Sequence, residues 1–210
     1  MPALPVDYLI STFVTLFVVV DPVGLAPTFV AITHGLPISA RRQIAIRASL
    51  IAVAILIGAA VIGDWLLARL GISLPAFRIA GGLLLFSIAS EMVFGVRIER
   101  QSRTAEQALE DVRHIAAFPL AIPLMAGPGA ITATVLLAAQ ADARPLFLLA
   151  LIAIIVVVIG LCLAVFFLAS RIGPLLGTTP NVVLSRLLGV LLAALAVQFV
   201  IDGIRAMLSG

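Results

Sequence analysis

The sequence predicts an all-α polytopic membrane protein with six transmembrane helices, and two observations lead to this prediction. Hydrophobic residues make up 63% of the 210-residue chain and charged residues 11%. Soluble domains contain roughly 45–50% hydrophobic and about 25% charged residues. The apolar residues also fall into six stretches, each long enough for the about 20 residues that a membrane-spanning helix needs. These stretches leave no room for a separate soluble domain, so residues 1–210 are interpreted as one membrane domain.

Each apolar stretch is expected to form a helix, because a spanning segment must satisfy its own backbone hydrogen bonds in hydrocarbon. The stretches, numbered span 1 to span 6, run approximately over residues 8–33, 44–67, 74–94, 116–139, 145–169 and 182–207. The polar segment 97–114 joins spans 3 and 4 and is interpreted as a cytoplasmic connecting loop. The chain lacks the basic start of a signal peptide, so span 1 is expected to be retained.

The distribution of basic residues predicts the orientation in the membrane. All 13 basic residues are arginines, and they lie mainly at the ends of the spans. The loops after spans 1, 3 and 5 share one side, and that side holds nine arginines against four on the other. Because positive charge marks the cytoplasmic side, we expect both termini to lie outside. We also expect no binding to nucleic acid.

The two halves of the chain resemble each other weakly. The matched pairs at offsets of 106 and 108 residues are Pro22 with Pro128, Arg78 with Arg186, and Gly81 with Gly189. We interpret residues 1–96 and 115–210 as two repeats of three spans each. An odd number of spans inverts the second copy relative to the first, and inverted repeats are typical of secondary transporters.

Spans 1 and 4 are predicted to be broken in mid-membrane. Span 1 contains Asp21-Pro22-Val23-Gly24, and span 4 contains Gly127-Pro128-Gly129. Proline removes a backbone donor and interrupts a helix, and such a break survives in a membrane only where it is buried in protein or lines a polar cavity. Asp21-Pro22 and Gly127-Pro128 both match the pairing of an N-cap with the first helical residue. Each break is therefore expected to start a half-helix.

These breaks form the predicted binding site. A helix N-terminus attracts anions such as carboxylates, while an acidic residue in mid-span, at a cost of roughly 2.5–3.5 kcal/mol, usually marks an ion, proton or substrate path. Asp21 is the acidic residue so placed; the alternative is that it only caps its half-helix. Threonine hydroxyls would add contacts, or else bond to their own helix. The predicted site residues are Asp21, Pro22, Gly24, Thr28, Gly127, Pro128, Gly129 and Thr132.

Other chemistry is not expected from the sequence. Arg78, Glu91 and Arg186 are interpreted as gating or structural ion pairs, with anchoring at the membrane interface as the alternative. The lone Cys162 has no partner for a disulfide or a metal site, so it reads as a small buried hydrophobe. Because no catalytic motif is present, we expect no enzyme activity, no catalytic residues, no metal and no cofactor.

Three segments of the chain resemble one family. They are Phe17–Thr33 (FVVVDPVGLAPTFVAIT), Ala80–Gly95 with its glycine pair, and Pro119–Thr132 (PLAIPLMAGPGAIT). Together they resemble the MarC family, also called the neutral amino acid transport group, over nearly the whole chain. Leu25 departs from the family pattern, in which asparagine is expected after the first-span glycine.

The resemblance implies a six-span bacterial inner-membrane protein, and for some members uptake of glycine or alanine. Two hypotheses follow. The first is a secondary transporter of small neutral amino acids or similar zwitterions, with H⁺ or Na⁺ as a coupling ion. The second is a non-transporting membrane scaffold or regulator that binds a partner through the loop 97–114. Either protein would sit in a lipid bilayer, and a homo-oligomer is compatible with both.

Overall fold

The computed structural model describes residues 6–96, 116–140, 144–172 and 178–209, and all regular structure within these ranges is helical. The helices are α1 (Val6–Val20), α2 (Leu25–Ile32), α3 (Ile38–Arg69), α4 (Leu74–Phe94), α5 (Ala116–Met125), α6 (Pro128–Gln140), α7 (Pro145–Ile172) and α8 (Thr178–Leu208). The prediction of an all-α polytopic membrane protein is confirmed. The predicted connecting loop 97–114 lies outside the described residues.

The helices reproduce the predicted spans. Five of the described helical segments are long and apolar enough to cross a bilayer, and these include α1 and α2 taken together as Val6–Ile32. The remaining span consists of α5 followed by the shorter apolar helix α6. Span 2 is α3, span 3 is α4, span 5 is α7 and span 6 is α8. The observed α4 coincides with the predicted residues 74–94.

Local signals explain the clean boundaries of α4. Ser73 is its N-cap, and its hydroxyl accepts a hydrogen bond of 3.3 Å from the backbone N–H of Ala76. Pro75 stands in the first turn, where the missing N–H costs no helical hydrogen bond. Gly95 ends the helix with a φ of 82°, a conformation that glycine adopts without strain.

The two broken spans form the centre of the bundle. Span 1 packs against α6, α7 and α8, and α6 packs against α1, α3, α4 and α7. In span 1, 61% of the most apolar 18-residue window is buried, against 28% to 39% in α3, α4, α7 and α8. The outer helices instead expose large apolar side chains, such as Leu50 and Val157, that suit contact with lipid. Span 1, with its break, is therefore more enclosed by protein than the outer helices are.

The helices α4 and α8 form the most extensive contact, and they run antiparallel. Gly82 lies against the backbone of α8, because a Cβ there would come within 2.7 Å of the Ala196 carbonyl oxygen. Gly203 lies against the other end of α4, with 2.9 Å from such a Cβ to the Pro75 carbonyl oxygen. Small residues let two helices approach this closely in a membrane.

Gly82→Val is expected to destabilise this contact, because both branches of the new side chain would meet the α8 backbone. Overpacking of this kind costs typically about 1–3 kcal/mol. Leu83→Val is the matched control, since Leu83 is exposed on the outer face of the same helix. Thermal unfolding in detergent should show a lower midpoint for Gly82→Val alone. Equal midpoints for the two variants would contradict the close α4–α8 packing.

Candidate functional site

The break in span 1 is built around Asp21. Its backbone has a φ of 56°. Among the residues that the structure describes, Asp21 is the single non-glycine residue with a positive φ. Aspartate tolerates this left-handed conformation better than most residues. The Asp21 N–H still donates to the Phe17 carbonyl at 2.9 Å, while its own carbonyl accepts from the Leu25 N–H at 3.1 Å. The residue thus ends α1 and leads into α2.

The Asp21 side chain also organises the turn. Its Oδ1 accepts a buried hydrogen bond of 3.0 Å from the backbone N–H of Gly24. A Cβ on Gly24 would overlap the same carboxylate, with 2.6 Å to its Cγ. Gly24 therefore leaves space that the carboxylate fills, and a larger residue there would displace it. The Asp21 carboxylate therefore caps the turn between α1 and α2.

One local prediction was wrong. Asp21 and Pro22 were expected to be the N-cap and first residue of the second half-helix, but α2 begins at Leu25 with Gly24 as its N-cap. Asp21 has a left-handed backbone, so the chain turns at this residue instead of entering regular helix directly. Residues 22–24 form a turn before regular helix resumes.

The break in span 4 follows a different course. The helix α5 is wound as a π-helix, with the Ala126 N–H donating to the Ala121 carbonyl at 2.8 Å. Such wide turns are rare and occur frequently at functional sites. The helix α6 then begins at Pro128, and the Ile131 N–H donates to the Gly127 carbonyl at 3.0 Å. The predicted start of this half-helix at Gly127-Pro128 is confirmed.

The two breaks meet in the interior of the bundle. A Cβ on Gly129, in the first turn of α6, would lie 3.4 Å from Cγ1 of Val19, which is two residues before Asp21. The same Cβ would lie 3.5 Å from Cδ2 of Leu85 on α4. On α2, the Phe29 ring stacks on the Phe166 ring of α7, with centroids 4.5 Å apart. The folded chain thus brings the start of α6 beside the end of α1.

Most predicted site residues are buried here. Asp21, Thr28 and Thr132 expose only 2%, 6% and 6% of their surface. Pro22, Gly24, Gly127 and Gly129 are also buried, whereas Pro128 is exposed. Leu25 is completely buried in the core. Apart from Pro128, the predicted residues at the breaks are therefore enclosed, and the Asp21 carboxylate is buried between helices.

Two further buried residues lie on helices that pack against span 1. Cys162 on α7 is completely buried, and its thiol lies within electrostatic range of Asp21. Thr132 on α6 faces α4, where a Cβ on Gly81 would come within 2.5 Å of the threonine methyl. No group of three or more histidine, cysteine or acidic side chains able to hold a metal ion occurs among the described residues.

Arg78, Glu91 and Arg186 lie on the α4–α8 helix pair and not on the two broken spans. Arg78 is in the first turns of α4, and Glu91 is near the end of the same helix. Arg186 is exposed, and its guanidinium lies 3.8 Å from the position of a Cβ on Gly95. Because α4 and α8 pack antiparallel, Arg186 and Glu91 lie at the same end of this helix pair. Arg78 lies at the opposite end. Their proposed gating role stays a prediction.

Several buried polar side chains lie outside the predicted set of site residues. Buried oxygens of Tyr8, Thr12, Ser49 and Thr134 have no hydrogen-bond partner with acceptable geometry among the described residues. The hydroxyls of Thr33, Ser90 and Ser170 instead bond to the carbonyl four residues earlier at 2.7–2.9 Å. Leaving a buried hydroxyl without a hydrogen-bond partner costs about 1–3 kcal/mol. The spacing of Tyr8, Thr12 and Thr15 on one face of α1 was the available signal.

Comparisons with known proteins agree with this architecture. The model of the family described as MarC family integral membrane protein matches residues 6–208. The UPF0056 membrane protein MJ1677 of Methanocaldococcus jannaschii is 36% identical over 203 residues, which cover 96% of this chain and 98% of the relative. The UPF0056 membrane protein YhcE of Escherichia coli is 35% identical over 199 residues, which cover 94% and 92%.

Relatives therefore occur in both archaea and bacteria. A further archaeal protein, a UPF0056 membrane protein of Archaeoglobus fulgidus, is 39% identical over 199 residues, which cover 94% of this chain and 92% of that protein. No solved structure matches the chain. The six apolar spans, the paired breaks and the full-length match agree, and the chain belongs to the MarC family of multi-pass integral membrane proteins.

Proposed function

We propose that this protein is a secondary transporter of small neutral amino acids or similar small zwitterions. One observation carries the proposal: two helix breaks meet in the protein interior beside a buried carboxylate. A buried acid within a membrane is costly and usually marks an ion or substrate path. Discontinuous helices that meet at mid-membrane are the usual construction of transporter binding sites.

The packing of the helices supports an inverted repeat of residues 1–96 and 115–210. A two-fold relation between the halves would exchange span 1 with span 4, span 2 with span 5, and span 3 with span 6. The contact of α3 with α5 and α6 then requires a contact of α7 with α1 and α2, and that contact occurs. Such repeats can exchange conformations and give alternating access.

The two breaks differ in charge, which suits a zwitterion. At the start of α2, the Gly24 N–H already donates to the Asp21 carboxylate. The partial positive charge at this helix N-terminus is therefore neutralised by the protein itself. The α6 end carries no acidic residue in its first turn, and the first N–H groups of a helix have no partner within it. The solute carboxylate would therefore bind at Gly129 and Ala130, and its ammonium at Asp21.

Asp21 can also serve the coupling ion. A carboxylate enclosed at 2% exposure is stabilised by any cation that reaches it, whether ammonium, H⁺ or Na⁺. The closeness of Val19 and Leu85 to the start of α6 limits the space to a small solute. We place the protein in the plasma membrane, as the resemblance to the family implies, with both termini outside, as the arginine distribution indicates. A homo-oligomer is compatible with this arrangement.

Uptake into vesicles tests the proposal. Purified protein in liposomes should accumulate labelled glycine, alanine or serine when a H⁺ or Na⁺ gradient is imposed, and unlabelled solute should compete. Solutes that bind should also raise the melting temperature, since a ligand at 100 times its dissociation constant adds about 2.7 kcal/mol of stability. No solute-specific uptake under any ion gradient would reject the transporter.

Exchanging residues 97–114 for a neutral linker of the same length separates the transporter from the alternative scaffold. The breaks lie in spans 1 and 4, away from this segment in sequence, so we expect the variant to keep at least half of the uptake rate. A scaffold that binds its partner through this segment would lose its cellular effect. Loss of uptake by a variant that remains folded would show that the segment takes part in transport.

A further inference from the structure

The unpaired hydroxyls of Thr12 and Thr134 lie at the same depth on neighbouring helices. The helix α1 runs antiparallel to α6: Val19 packs near Gly129 at one end, while Tyr8 packs against Phe147 of α7, just beyond the end of α6, with ring centroids 4.8 Å apart. Thr12 lies seven residues from Val19, and Thr134 lies five residues from Gly129. At about 1.5 Å of rise per residue, the depths of Thr12 and Thr134 differ by about 3 Å.

The face of α1 that carries these groups is directed at α6 and α7. Tyr8, Thr12 and Val19 are four and seven residues apart and therefore share one helix face. The two ends of this face contact α7 and α6, so Thr12 lies between them. The Tyr8 hydroxyl comes near Thr12, yet no hydrogen bond of acceptable geometry joins the two. We call Tyr8, Thr12 and Thr134 the hydroxyl track.

The hydroxyl track is hard to explain as packing. Thr12 and Thr134 are completely buried, and valine would fill the same volume without an unpaired oxygen. Their hydroxyls do not bond to a carbonyl of their own helices, as those of Thr33 and Ser170 do. Buried hydroxyls normally have partners, so a partner that enters only in another conformation is the direct explanation.

We propose that the hydroxyl track lines the path by which water and a small hydrogen-bonding solute reach the breaks from the side of the membrane where α1 begins. This inference rests on the proposed function and adds the route. The track starts at Tyr8, near the beginning of α1, and leads towards Val19 and Asp21. In the closed structure the hydroxyls are unpaired, and in the open state they bond to water or to the passing solute.

Cysteine accessibility tests the route independently of cargo. Thr12→Cys and Thr134→Cys are made singly in a Cys162→Ala background and treated in oriented vesicles with a charged thiosulfonate reagent. The controls are Val18→Cys and Leu136→Cys, which are equally buried on other faces of the same helices. We expect the two track positions to react at least tenfold faster than the controls from the α1 side. Labelling after denaturation in detergent gives the total thiol in each sample.

Equal rates at track and control positions in folded protein would overturn the route. A second measurement keeps the native Cys162 and replaces both threonines by valine, which keeps the side-chain shape. We expect this double variant to lower the labelling rate of Cys162 from the α1 side tenfold without lowering the melting temperature. An unchanged rate would also overturn the route. Fast labelling without amino acid uptake would instead reject the cargo and leave the path standing.

Discussion

Asp21→Asn is expected to lower solute uptake about a hundredfold while the protein stays folded. Asparagine keeps an oxygen that accepts from the Gly24 N–H and tolerates the backbone φ of 56°. It removes only the negative charge. Losing one partner of a buried charged pair costs about 2–5 kcal/mol, and each about 1.4 kcal/mol is a factor of ten in binding. Initial rates of labelled solute uptake at matched protein density measure the effect.

The matched control is Asp64→Asn, because Asp64 is an exposed acid near the end of α3 and its loss should leave uptake within twofold of the native rate. Asp21→Ala adds a further test, since it removes the cap as well as the charge. It should lower stability by about 1 kcal/mol relative to Asp21→Asn. If Asp21→Asn transports at the native rate, Asp21 is only a cap, and the proposed ammonium or ion site is wrong.

Gly24→Ala is expected to be the most damaging single-methyl change in the broken region. The new Cβ would overlap the Asp21 carboxylate, with 2.6 Å to Cγ, so the side chain must leave its hydrogen bond or the turn must shift. Inserting one methyl group into a tightly packed site typically costs about 1–3 kcal/mol, and loss of the hydrogen bond to the charged carboxylate adds about 1.5–3 kcal/mol. Thermal unfolding and the yield of monodisperse protein measure the loss.

Gly58→Ala is the matched control for that change. Gly58 lies within α3, and no atom lies within 4 Å of a Cβ placed there. Alanine should therefore stabilise the helix by roughly 1 kcal/mol relative to glycine. The two alanine variants should move the melting temperature in opposite directions. A Gly24→Ala protein as stable as the native one would mean that Asp21 does not hold the turn.

Much of the fold follows from local sequence signals. The span positions depend on hydropathy alone, and α4 matches its prediction because Ser73 and Gly95 stop the helix at each end. The start of α6 follows from Gly127-Pro128, because proline fits the first position of a helix without losing a hydrogen bond. The start of α2 did not follow, because the left-handed conformation of Asp21 depends on the space that Gly24 leaves for its carboxylate.

The assembled site depends on contacts that no local pattern contains. The approach of Val19 to Gly129 joins residues more than one hundred positions apart in the chain, so sequence periodicity could not reveal it. The hydroxyls of Thr12 and Ser49 look like ordinary polar residues in apolar helices, where bonding to the preceding turn is common. Only the folded structure shows that these two hydroxyls lack such a bond.

The labelling of Cys162 tests the central proposal most directly. Cys162 is the only cysteine in the chain, is completely buried and lies on α7, which packs against both halves of span 1. If the paired breaks enclose a solute site that opens alternately to each side, a charged thiol reagent should modify native Cys162 from both faces of the membrane. A bound solute should slow that reaction at least tenfold. The central proposal is contradicted if Cys162 is labelled from both faces as slowly as a lipid-shielded thiol and no solute changes that rate.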